Sequence, residues 1–278
     1  LEPHSSPPGR QPLSARLQDV LLQGIEACFA GDYDTAWSRF EQIETLDAAH
    51  PAREFYLATV LFWRNNVDHN NPRYDEQIRE LLRQCLGKSQ AMLEKDPDNI
   101  EALHYAGLAY TYLGRMDAHR GDFYEGGVKG ETGRQYLEKA LAQCEQRKTT
   151  SDQDACDLCE EIYFPLGAYT YFSGRLPRFL RLFDFLWFIP KGSTDEGLEM
   201  LSRAQARACL HQLGAQSLLI SIYATFERDR IDQARVLSSD MIRRFPDNPY
   251  LDLQHARILL DHGQIRAARQ HTDGILKK

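Results

Sequence analysis

The sequence predicts an all-α solenoid of about six antiparallel helix pairs, and three observations carry that prediction. First, Ala234 in DQARVLSSDMI and Ala268 in RAARQHTDGI occupy equivalent places in two amphipathic helices 34 residues apart. Second, a boundary of one chemistry occurs twice, as Asp96-Pro97-Asp98-Asn99 and as Pro246-Asp247-Asn248-Pro249. In both, Pro ends one helix and Asn is placed to cap the next. Third, no segment alternates apolar and polar residues between hairpin turns, so β content is expected to be close to nil.

The elements follow in order. Residues 1–14 form a Pro/Ser-rich tether ahead of a single repeat region spanning 15–278. The first pair covers 17–50, with Gly24 as the small residue where the helices cross, Gly31-Asp32-Tyr33 as the turn, and Ala36-x-x-x-Phe40 in the second helix. The second pair joins Ala52–Arg64 to Tyr74–Glu94 through a polar loop, Asn65–Pro72. The third opens with Ile100–Gly114, and its Gly-rich, charged stretch Arg115–Gly130 reads as an expanded turn before a helix around Tyr136–Leu141. A polar linker near Lys148–Asp154 leads to the fourth pair, which starts at Tyr163-x-x-Leu166-Gly167 and turns at Gly174. Its second helix is delayed to Gly197–Ala204 by an insertion over 176–192, within which Pro177–Pro190 is almost wholly apolar. The fifth and sixth pairs hold the two equivalent alanines.

A small residue in the first helix, a Gly turn, A-x-x-x-F in the second helix and a closing Pro, at a 34-residue period, make this chain resemble the tetratricopeptide repeat family. The likeness spans about 15–278. Residues 160–250, with FPLGAYTYFSGRLP, IPKGSTDEGLEML and RRFPDNP, look like uncharacterised bacterial tetratricopeptide proteins and, more distantly, the tetratricopeptide repeat protein 39 family. The resemblance implies a right-handed superhelix that binds a peptide or protein segment in its concave groove. Transferring the family's first-helix register places Phe55, Phe62, Trp63, His104, Thr111, Tyr112, Phe164, Tyr171, Phe172, Tyr223 and Phe226 on that concave face. Aromatic side chains with an apolar face and a polar edge suit recognition of a peptide, although several of these would equally pack between neighbouring helices.

The insertion offers a second candidate surface. As a helix, Arg178–Ile189 would set Arg178, Arg181 and Asp184 along one narrow stripe and apolar groups nearly everywhere else. Such a helix either fills a gap between the fourth and fifth pairs or docks to a partner through Phe179, Phe183, Trp187 and Phe188. Each large apolar side chain buried contributes roughly 1.5–3 kcal/mol, which favours the filler reading unless a partner covers them.

Composition excludes several functions. The formal charge of −7 comes from interspersed acidic and basic residues without a Lys/Arg run, so no nucleic-acid partner is expected. Arg178, Arg181 and Asp184 interrupt the richest apolar stretch, so no transmembrane span is expected either. The nine His are scattered, with no HExxH, nucleophile elbow or phosphate loop; Gly126-Gly127-Val128-Lys129-Gly130 lacks the preceding strand, and Arg120-Gly121-Asp122 reads as loop polarity. The chain is therefore expected to be no enzyme and to need no metal or cofactor. Cys28, Cys85, Cys144 and Cys209 sit among helix formers and read as small buried hydrophobes. Cys156-x-x-Cys159 reads as two helix-start cysteines, with a local disulfide or a metal pair as alternatives. A start at Leu1 without Met fits an exported or periplasmic protein, with the cytoplasm as the alternative.

The function predicted from sequence is a non-enzymatic interaction scaffold. The alternatives are a cell-envelope carrier or assembly factor whose segment 177–190 meets lipid or an apolar ligand, and a structural subunit capping a homo-oligomer.

Overall fold

The computed structural model describes residues 15–65, 71–146, 157–175 and 192–275. The expected tether, the expected polar linker and the apolar insertion, with Phe179, Phe183, Trp187 and Phe188, lie outside the described residues.

Among the described residues there is no strand, and the helices stack as antiparallel pairs. The first pair is α1 (Ala15–Ala30) against α2 (Tyr33–Glu41) and the short α3 (Ile43–Leu46). The second is α4 (Ala52–Arg64) with α5 (Asp75–Lys95), and the third α6 (Ile100–His119) with α7 (Phe123–Gln146). A single turn, α8 (Leu158–Glu161), precedes the fourth pair, α9 (Tyr163–Arg175) and α10 (Thr194–Arg207). The last two are α11 (Gln212–Thr225) with α12 (Ile231–Arg244) and α13 (Pro249–Asp261) with α14 (Ile265–Ile275).

Local signals start the helices where the sequence puts them. Asn99 Oδ1 accepts from Ala102 N at 2.9 Å, and Asn248 Oδ1 accepts from Tyr250 N at 3.0 Å, so both copies of the boundary cap a helix through Asn. Asp32 caps α2 through Thr35 N, after Gly31 turns the chain at a φ of 82°. Gly24 is a true crossing point: a Cβ there would lie 2.6 Å from Phe40 Cζ, so the A-x-x-x-F phenylalanine fills the space that the missing side chain leaves.

The third pair departs from expectation. Instead of an expanded turn over 115–130, α6 runs to His119 and α7 starts at Phe123, leaving only Arg120-Gly121-Asp122 between them. The glycines read as loop residues form the seam of this helical hairpin. A Cβ on Gly114 would lie 2.7 Å from Gly126 O, and one on Gly126 would lie 2.8 Å from Gly114 O. Backbone-to-backbone packing at that distance outweighs the low helix propensity of Gly, roughly 1 kcal/mol per residue. The polar turn is committed to structure: Arg120 forks onto Asp75 at 2.6 and 2.9 Å, and Asp122 Oδ1 accepts from Glu125 N at 3.1 Å. Below it, buried Asp117 accepts from Arg79 and Lys129, each at 2.6 Å.

The cysteines also differ from expectation. Cys144 at the end of α7 is bonded to Cys159 on α8, and Cys209 is disulfide-bonded as well, whereas Cys28 and Cys85 are free and buried as expected. Cys159 therefore pairs 15 residues upstream and not with its CxxC neighbour. Desolvation pushes both free thiols far above their usual range, which keeps them protonated and inert.

The solenoid winds tightly enough to meet itself. Asn248 Nδ2, at the boundary between the fifth and sixth pairs, donates to Phe29 O in the first pair at 2.8 Å. Phe245 packs on Phe29 with ring centroids 5.9 Å apart, Tyr250 packs on Trp63 at 5.9 Å, and Arg244 pairs with Glu26. One apolar core consequently runs through α1, α4 and α6 and on through α11 to α13.

Candidate interaction surface

Packing between the helices decides what becomes of the expected groove. Phe55, His104, Tyr171 and Tyr223 are buried and present no surface to a partner. Phe55 meets Tyr56, Tyr105 and Tyr112 edge-on at centroid distances of 5.2–6.0 Å, so the concave face at this level is the protein's own core. Phe62, Trp63, Thr111, Tyr112 and Phe164 are partly buried. Phe62 and Tyr112 lie edge to face at 5.1 Å, and the guanidinium of Arg115 lies over the Phe62 ring. Thr111 is occupied within its own helix, donating to Gly107 O at 2.5 Å. Phe164 stacks on His211 at 5.1 Å.

Only Phe172 and Phe226 of the set are exposed, at 42% and 43%. They stand together at the ends of α9 and α11, edge to face at 6.3 Å. Arg175 covers Phe226 at 4.9 Å from its centroid and is itself held by Glu227, Nη1 to Oε1 at 2.7 Å. Tyr171 OH donates to the same Glu227 oxygen at 2.7 Å, fixing α9 to the turn after α11 from below. The result is a preorganised aromatic edge backed by a cation with its own counter-ion. The expected insertion over 176–192 follows Arg175 in sequence, and its residues 176–191 lie outside the described residues.

At the opposite, N-terminal ends of α9 and α11 is a buried polar cluster that sequence reading did not find. Glu161, fully buried at the end of α8, accepts from the backbone N–H groups of Cys209, Leu210 and His211 at 2.6, 3.0 and 2.8 Å. Its Oε2 also faces His211 Nδ1 at 3.0 Å, which sets the imidazole so that Nδ1–H donates. His211 lies edge-on to His104 at 5.5 Å. Burial, and then the neighbouring His211, hold His104 well below the usual histidine range, so it is neutral at pH 7. A carboxylate gathering three consecutive N–H groups splints the loop into α11. The only sequence trace of it is a Glu in a short acidic turn, which ordinarily reads as a solvated surface.

The chain also contains a hydrogen-bonded serine and histidine, Ser238 Oγ and His255 Nδ1 at 2.8 Å. Ser238 is buried and its Oγ is also in contact with Arg235 O at 3.1 Å, so no reacting carbonyl can approach it. The pair is an interhelical tie between α12 and α13.

No protein-family model matches the chain, and no curated protein matches it. Among solved structures, the chain is similar to TTC0263, a thermophilic tetratricopeptide protein of Thermus thermophilus, at 19% identity and a TM-score of 0.45. That likeness covers 87% of this chain and 98% of the other.

Proposed function

We propose that this protein is a non-enzymatic scaffold that binds a segment of another protein, and that the binding surface is the Phe172–Phe226 edge instead of a deep concave groove. The observation that carries the reading is the pair of exposed aromatic rings held rigid by Arg175, Glu227 and Tyr171. Rigid aromatic anchors lose little side-chain freedom on binding, and they are enriched among the residues that dominate interface energies. The second expected surface, Phe179, Phe183, Trp187 and Phe188, follows Arg175 in the sequence and would offer further apolar side chains to a partner. The partly buried Phe62, with Arg115 over its ring, and its neighbour Tyr112 form a lesser contact zone. The bonded cysteines, Cys144 with Cys159 and also Cys209, support an exported or periplasmic setting, because such bonds persist where thiols are not kept reduced.

The test places a photo-crosslinking amino acid at 172, at 226 or at the distant exposed position Val236, and exposes each protein to native extract. The reading expects the same discrete adducts from 172 and 226, absent from 236 and lost when Arg175→Glu is added. Equal labelling from all three positions would sink it.

The envelope-carrier alternative draws on the same apolar run. Vesicle flotation separates the two: salt-resistant co-flotation that Phe183→Asp abolishes would favour lipid. Among the described residues no helix is long and apolar enough to cross a membrane.

A further inference from the structure

The last helix pair carries an apolar stripe that, among the described residues, no other element covers. On α13, Leu251, His255, Ala256, Ile258 and Leu259 turn inward and are buried, whereas Leu253 and Leu260 are 52% and 53% exposed. At about 100° per residue, Leu253, Arg257, Leu260 and Asp261 fall within about 100° of helix surface, on the arc facing away from the buried one. Ile265, 67% exposed, follows just past the Gly263 turn, whose φ is 77°.

A stack of repeats stays soluble when its terminal repeat turns a polar face outward. Leu253, Leu260 and Ile265 run against that rule. Full burial of a large apolar side chain contributes roughly 1.5–3 kcal/mol, so covering three of them at one end of the array is favourable. Large apolar groups gathered on an exposed face mark an interaction site.

The charges between them identify what fits. Along the chain the face is apolar at Leu253, positive at Arg257, apolar at Leu260, negative at Asp261 and apolar at Ile265. Laid antiparallel against itself, this order sets apolar groups against apolar groups and each charge against its opposite. Two copies related by a two-fold axis near residue 259 bring Leu253 toward Ile265, Arg257 toward Asp261, and Leu260 toward its own counterpart. A two-fold interface uses one patch on both partners, so each of these contacts is made twice. Within one helix Arg257 Nε and Asp261 Oδ2 are 3.9 Å apart, outside hydrogen-bond distance, and both side chains are open to solvent. Their charges can therefore turn toward a partner. A surface of one sign would oppose one of the two.

We propose that this face joins two copies of the chain into a homodimer, with the two α13 helices antiparallel about a two-fold axis. The Leu260 side chains meet at its centre, and two exchanged Arg257–Asp261 pairs flank them. Each solenoid then ends on the other instead of on water. The interface does not rest on the Phe172–Phe226 edge, so either can fail without the other.

The experiment is sedimentation velocity on the full chain over a concentration series up to about 100 μM. The expected result is a reversible monomer–dimer equilibrium, with Leu260→Asp monomeric throughout. Arg257→Asp and Asp261→Arg should each weaken dimerisation by at least about tenfold, because each sets like charges opposite one another at two places. The double reversal, Arg257→Asp with Asp261→Arg, should bring the dimer back. Far-UV circular dichroism establishes that each variant is folded, and if Leu260→Asp is not, the charge reversals at exposed positions decide the matter alone. A wild-type chain that stays monomeric throughout, a dimer that survives folded Leu260→Asp, or a double reversal no better than the single ones would each overturn the proposal.

Discussion

Removing the Cys144–Cys159 bond should lower stability by an amount that its position in the chain sets. The two cysteines are 15 residues apart, and closing a loop of that size removes unfolded-state entropy equivalent to about 3 kcal/mol at 25 °C. Both residues are buried, so Cys144→Ala/Cys159→Ala also loses packing, and the expected cost is about 3 kcal/mol from the cross-link with a packing loss added to it. The double substitution leaves the bond at Cys209 in place, which isolates one cross-link where a general reductant would break both. Urea unfolding followed by far-UV circular dichroism reads the change in free energy, and a non-reduced peptide map identifies the bonded pair. A variant that unfolds at the wild-type midpoint, or a map without the 144–159 peptide, would refute the reasoning. The compartment argument would lose its main support with it.

Two further outcomes follow from the packing. Gly126→Leu should destabilise by about 1–3 kcal/mol or more, because a side chain there meets the backbone of α6 at Gly114 and Ala118, whereas Gly87→Leu, with open space around it, should be close to neutral. Acid should weaken the fold through His104, whose folded pKa is depressed: its stabilising effect is complete above the unfolded value near 6.5 and is lost as pH falls below it, at about 1.4 kcal/mol per pH unit. His104→Leu should flatten the dependence of unfolding free energy on pH between about 6.5 and 5. An unchanged slope in that variant would show that His104 is not the group responsible.

Features that depend on near neighbours were legible in the sequence. Gly24 with Phe40, the Asn caps at 99 and 248, and the paired helices themselves all act over a few residues or one helix crossing. What escaped was everything fixed by distant contact. Gly126 and Gly130 look like a loop until another helix lies against them, since Gly marks both loops and close crossings. Phe55 and Tyr223 have the composition of a binding face, and only the packing of other helices against them makes them core. Cys144 and Cys159 looked unrelated because cysteine spacing does not encode pairing. Glu161 gave no signal, because its three N–H donors lie about fifty residues away.

The bond from Asn248 to Phe29 changes how the repeat number is regulated. In an open stack each repeat feels only its neighbours, so units can be gained or lost with a proportional change in stability and folding can begin anywhere. Here residues 219 apart must meet, and the arc between them is filled by a fixed set of helix pairs. Deleting or duplicating one pair would move the fifth-to-sixth boundary off the first turn by a whole repeat, breaking the cap, the aromatic contacts and the ion pair together. The closure makes the array count itself: a stack of repeats becomes a single unit whose length is specified by geometry.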